Sequence, residues 1–86
     1  MMTEANQEKI IVYGTQWCGD TIRARRILDS NKIAYEWVDI NKDPEAGKLV
    51  EKLNKCYRSV PTIVFGDGSM LVEPSNDALM KKLGLA

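Results

Sequence analysis

The run Ile10-Ile11-Val12-Tyr13-Gly14-Thr15-Gln16-Trp17-Cys18-Gly19-Asp20-Thr21 decides the fold and points to the chemistry. Four consecutive apolar residues, Ile10 to Tyr13, have the pattern of a strand covered on both faces, and Gly14-Thr15 ends it. From Cys18 to Ser30 the apolar set Ala24, Ile27 and Leu28 falls at helical spacing, while Arg23, Arg25 and Arg26 lie mostly elsewhere. That reads as an amphipathic helix with Cys18 at its start.

Working outward, Ala34 to Ile40 carries Tyr35, Trp37 and Val38 and reads as a second strand. Asp43-Pro44-Glu45 then announces a helix, with Asp43 as N-cap and Pro44 at the first helical position. Ala46, Leu49, Val50 and Leu53 give that helix its apolar stripe. Thr62 to Phe65 and Met70 to Val72 flank Gly66-Asp67-Gly68-Ser69, the signature of a hairpin. Ser75, after Pro74, caps a last helix carrying Leu79 and Leu83. The order is β-α-β-α-β-β-α, an α/β arrangement. Its first unit is a right-handed parallel crossover and its last two strands are antiparallel, so a four-stranded mixed sheet with helices on both faces is expected. A ligand cleft is expected beyond the carboxyl ends of the parallel strands, where Cys18 emerges.

At 86 residues the chain makes one core and one domain, expected over residues 9–86, with the polar residues 1–8 as a flexible N-terminus. Twelve Lys plus Arg balance twelve Asp plus Glu, which argues against nucleic acid as a partner because phosphate neutralisation needs a basic face. There is no His, which removes Cys-His pairs, Ser-His-Asp triads and every His-containing zinc site. Two scattered cysteines, Cys18 and Cys56, are too few for a disulfide scaffold or a four-thiolate metal site, so no metal is expected. No stretch approaches the roughly 18 apolar residues of a membrane span, and Met1 to Lys9 lacks a basic region followed by an apolar one. A cytoplasmic protein with no membrane partner follows, and in a reducing cytosol an exposed cysteine is more often chemical than structural.

Cys18 is therefore the candidate nucleophile. A thiolate at a helix N-terminus meets unpaired backbone amides and the positive end of the helix dipole, which favour the charged form. The hydroxyl of Thr21, three residues on, is placed to donate to the sulfur, so Cys18 and Thr21 form the catalytic pair; Asp20 acts in the opposite sense, as a nearby negative charge. A core cysteine would sit more naturally inside an apolar run than among Gly, Asp, Thr and Gln. Trp17 is either a core aromatic or a wall of the cleft.

These residues resemble a known family. Trp17-Cys18-Gly19 after a first strand, Val60-Pro61-Thr62 opening a later one, and Glu73-Pro74-Ser75-Asn76-Asp77 before a last helix look like the glutaredoxins of the thioredoxin superfamily, closest to the mycoredoxin branch. The resemblance runs from about Lys9 to Leu83 and implies a thioredoxin-like fold. It also implies a thiol-disulfide oxidoreductase in cell redox homeostasis, a monomer whose Cys18 takes a small thiol from a protein mixed disulfide. Pro61 would be cis, placing the Val60 backbone beside Cys18 for an extended, peptide-like thiol to pair with. Ser75, Asn76 and Asp77 match the place where the family holds a carboxylate, and Thr15, Gln16, Trp17, Gly19 and Asp20 complete the substrate-binding surface around the sulfur. Arg58 matches a position often basic in the family and would either steer a carboxylate or stand as a solvated surface residue.

Three departures refine this. Thr21 replaces the second cysteine of a Cys-x-x-Cys pair, so the mixed disulfide on Cys18 is released by a second small thiol, in a monothiol cycle. Thr15 stands where the family has a basic residue, and Pro74-Ser75 where it has Gly-Gly, leaving glutathione, mycothiol or a similar thiol as co-substrate, with no bound cofactor expected. Cys56 is either a helix-end cysteine or a resolving one. Two other functions remain open: a module holding a 2Fe–2S cluster between subunits, since Cys18-Gly19-Asp20-Thr21 shares its glycine and a hydroxyl residue with Cys-Gly-Phe-Ser proteins, and a redox-inactive interaction protein.

Overall fold

The computed structural model describes residues 9–54 and 59–85. The expected N-terminal segment 1–8, Cys56 and Arg58 lie outside the described residues. Among those described, the order is β1 (Ile11–Gly14), α1 (Gly19–Ser30), β2 (Glu36–Asp39), α2 (Pro44–Leu53), β3 (Thr62–Val64), β4 (Met70–Val72) and α3 (Asn76–Lys82), as the sequence pattern implies. The strands form one mixed sheet in the order β2-β1-β3-β4. β1 runs parallel to β2 and antiparallel to β3, and β3 pairs antiparallel with β4.

Period-two alternation along β1 sends its side chains to two cores. Val12, with Ile10, Ile63 and Phe65, packs under Ala24 and Leu28 of α1 and Leu79 of α3. Tyr13, on the opposite face, packs with Ile40 and with Ala46 and Val50 of α2. The sheet is thus covered on both faces, which is why β1 reads as an uninterrupted apolar run. No helix among the described residues is long and apolar enough to cross a membrane.

Local signals place the helix starts well. Asp43 accepts from the Ala46 amide at 3.1 Å with Pro44 next to it, and Ser75 accepts from the Ala78 amide at 3.1 Å. In the β3–β4 hairpin the Asp67 carboxylate accepts from the Ser69 hydroxyl at 2.6 Å and its amide at 2.9 Å, which holds the carboxyl below its ordinary range. Gly68 takes a φ of +91°, the conformation this turn reserves for glycine.

Four boundaries or faces differ from expectation, the simplest being β3, which ends at Val64 rather than Phe65. β1 is shifted one residue onward, to Ile11–Gly14, because the Gly14 carbonyl still accepts from the Ile40 amide at 3.0 Å. The second strand is confined to Glu36–Asp39 rather than Ala34 to Ile40: at the edge of the sheet formed by the described residues, its length is set by β1, with a register that runs from Ile11↔Glu36 to Gly14↔Asp39. Leu49 is 39% exposed and does not join the buried stripe. It stands one residue, about 100°, round the helix from Val50, and α2 turns Ala46, Gly47 and Val50 inward instead.

Gly14 sets how closely α1 approaches the sheet. A Cβ there would fall 2.7 Å from Thr21 Oγ1 and 2.8 Å from its Cγ2, closer than real side chains come. Gly14→Ala should therefore destabilise the fold by about 1–3 kcal/mol, as overpacking of a filled core does. Thr21→Ala in the same chain should recover most of that loss, measured by urea denaturation.

Candidate functional site

The loop after β1 delivers Cys18 to the end of the sheet. The Cys18 amide donates to the Thr15 carbonyl at 3.3 Å, turning the chain, and Cys18 becomes the N-cap of α1 with extended backbone (φ −76°, ψ 124°). Its carbonyl accepts the first helical hydrogen bond, from Ile22 at 3.0 Å. The side chain makes no capping bond, and the half-buried sulfur stands at the amino end of α1, whose first amides have no partner within the helix. Gly19 faces open space, and Trp17 is 69% exposed, so it is no core aromatic.

The second wall is the segment before β3. The Val60–Pro61 peptide is cis, and Cys18 Sγ lies 4.0 Å from the Val60 carbonyl oxygen across 42 residues of sequence. Three bonds fix this segment. Thr62 Oγ1 donates to the Ser59 carbonyl at 2.7 Å and accepts from Asn54 Nδ2 at 3.1 Å, and the Pro61 carbonyl accepts from the Glu73 amide at 2.8 Å. The same Thr62 hydroxyl thus ties the end of α2 to the loop facing the sulfur.

The third element is the start of α3. Arg23 bridges to it: its Nη2 lies 2.8 Å from Asp20 Oδ1, and its Nε donates to Asn76 Oδ1 at 2.9 Å. Asp20 and Asn76, read separately in the sequence, are brought together by an arginine that sequence reasoning passed over. The signal was present, since Asp20 and Arg23 stand at (i, i+3) on one helix. Ser75 caps α3, and Asp77 stands in its first turn.

Thr21 departs from the expected role. Its side chain is fully buried and its hydroxyl has no hydrogen-bond partner among the described residues, so it does not donate to the Cys18 sulfur. The reason is helical phase: Thr21 shares the inward face of α1 with Ala24 and Leu28, and is turned toward Gly14. Beside the site, Gln16 lines a groove with Glu36, Trp37, Asp39, Lys42 and Asp43. A cleft of about 450 Å³, lined by Ile10, Ile33, Phe65 and Leu83, lies at the other end of β1, away from the sulfur.

With this geometry in place, comparison with known proteins is direct. The glutaredoxin family model matches residues 10–70. The chain belongs to the glutaredoxin family. It is 42% identical over 74 residues to a protein of Mycobacterium tuberculosis named as a glutaredoxin, covering 86% of this chain and 88% of that one. It is 30% identical over 74 residues to Mycoredoxin 1 of Corynebacterium glutamicum, covering 86% and 91%. Among solved structures, a point mutant of the thioredoxin-like protein BC3987 superposes with a TM-score of 0.75 at 30% identity, covering 86% of this chain and 97% of that one. A glutaredoxin from Archaeoglobus fulgidus superposes at 0.71 and 21% identity, covering 95% and 96%, and shows the shared fold. Family and fold support a thiol oxidoreductase role for this glutaredoxin.

Tyr13, buried within β1, supplies a pH-dependent element. Burial, then the charges of Glu36 and Asp43, push its phenol above the ordinary 10.0. Because the folded state holds that proton more tightly, the associated stability is complete below pH 10.0 and is lost as pH rises past it. Alkaline denaturation should begin above that point, and Tyr13→Phe should flatten the alkaline limb of a melting-temperature profile.

Proposed function

We propose that this glutaredoxin reduces mixed disulfides between proteins and a low-molecular-weight thiol by a monothiol cycle. The observation that carries the reading is the position of Cys18 at the N-cap of α1, its sulfur 4.0 Å from the Val60 carbonyl. The Cys18 thiolate attacks the small-thiol sulfur of the mixed disulfide. That S–S bond breaks, the protein sulfur leaves as a thiolate and takes a proton from water, and Cys18 holds the small thiol in a new disulfide. A second small-thiol thiolate then attacks the same sulfur, forming a disulfide of two small thiols and returning the Cys18 thiolate. Thr21 in place of a second cysteine leaves this external release as the route for the Cys18–Thr21 motif.

The Val60 carbonyl and amide would pair with the backbone of a peptide-like thiol, as an added strand pairs with a sheet. Exposed Trp17, with Gln16, Gly19 and Asp20 around it, would wall the thiol in; Thr15, expected on that surface, is buried and serves the loop through its carbonyl, while Pro61 shapes the opposite side. Ser75, Asn76 and Asp77, with Arg58, would orient its polar arm. The likeness to Mycoredoxin 1 supports mycothiol as the first thiol to test beside glutathione. In this reading the protein works as a monomer in the cytoplasm, on protein mixed disulfides, with no nucleic-acid or membrane partner.

Turnover of a mycothiol-linked and a glutathione-linked reporter peptide, with excess free thiol, tests this. Cys18→Ser should lower the rate about a thousandfold or more, as loss of a nucleophile does. Cys56→Ser should leave it within about twofold. Loss of turnover in Cys56→Ser would replace the monothiol cycle with one that uses both cysteines.

A further inference from the structure

We propose that Arg23 is a positioning residue for the Cys18 nucleophile, one that holds the Asp20 charge off the sulfur and ties the start of α1 to the start of α3. The inference rests on the reading of Cys18 as the attacking group. Cys18 caps α1, and Asp20 is the acidic residue of its first turn, so thiolate and carboxylate lie on the same helix end. Both stand at the positive pole of the same helix, where two negative charges placed close together repel. Left alone, Asp20 would oppose the thiolate.

Arg23 changes that balance. One helical turn on, its guanidinium meets Asp20 Oδ1 at 2.8 Å and takes up the carboxylate charge. An exposed ion pair of this kind contributes little when both side chains are loose. This one has a second anchor, because Arg23 Nε donates to Asn76 Oδ1 at 2.9 Å on the first residue of α3. Two of the fixed donors of the guanidinium fork are thereby engaged on two elements, an arrangement a lysine ammonium does not reproduce. Neighbouring Arg25 is committed elsewhere, with its Cζ 4.0 Å above the Trp37 ring and its Nε 3.2 Å from the Tyr35 hydroxyl. Arg26 lines a separate shallow groove with Ile22, Arg25 and Asp29. Asp77 follows Asn76 in the first turn of α3.

The test is the second-order rate of Cys18 alkylation by iodoacetamide at pH 7 in a Cys56→Ser background. Arg23→Ala should slow it about three- to tenfold by exposing the sulfur to an uncompensated carboxylate. Asp20→Asn in the same chain should restore the rate, and 1 M NaCl, which shortens the Debye length to about 3 Å, should shrink the Arg23→Ala effect. Arg23→Lys should retain part of the rate. If Arg23 served only to fasten α3, its removal would slow alkylation equally with Asn at position 20 and at high salt, and that result overturns the proposal. An Arg23→Ala rate equal to that of the parent, with the parent still faster than a cysteine in an unstructured peptide, overturns it as well. A parent no faster than that peptide contradicts the nucleophile reading itself.

Discussion

The close approach of Gly14 to Thr21 is the contact on which the rest of the site depends. Gly14 has no Cβ, so the first turn of α1 settles against the end of β1 with Thr21 filling the space. The chain between them has only four residues, Thr15 to Cys18, in which to leave the sheet and enter the helix. That short path makes Cys18 the N-cap and holds it at the edge of the sheet, next to the strand that follows Val60–Pro61. The unpartnered Thr21 hydroxyl is the local penalty of this packing, since burying a hydroxyl without a partner costs about 1–3 kcal/mol.

From that contact the site assembles out of backbone and a few polar ties. The sulfur faces a carbonyl from a distant loop, which Asn54, Thr62 and Glu73 fasten through three hydrogen bonds. The starts of α1 and α3 are joined by Arg23, so the two helices that flank the sulfur on one face of the sheet also share a polar clamp. Apart from the thiol, the ionisable groups in these ties are Asp20 and Arg23, in a chain without histidine. The chemistry falls to one sulfur and to the fixed amides and carbonyls around it.

Much of the architecture is legible in the chain because local and long-range signals agree. Asp43-Pro44, Ser75 and Gly66-Asp67-Gly68-Ser69 act through neighbours a few residues away, and each forms the cap or turn its chemistry implies. The edges of β1 and β2 depend on pairing register, a property of two strands together, and there the local pattern is off by a residue or more. Leu49 and Thr21 mislead for a related reason. Each sits at plausible helical spacing, but the angle at which its helix meets the sheet decides which way it points. The approach of Val60 to Cys18 followed from family resemblance, whereas the Arg23 clamp joins residues 53 positions apart and has no local signature at its far end.

The central claim is that Cys18 alone takes the small thiol from a protein mixed disulfide. Mass spectrometry of a single turnover tests it most directly, with the protein mixed with a reporter protein carrying one small thiol in disulfide linkage and quenched with acid. The account predicts the mass of the small thiol on the peptide containing Cys18, with the reporter released as a free thiol. Reporter protein linked to Cys18, or the small thiol found on Cys56, would contradict it.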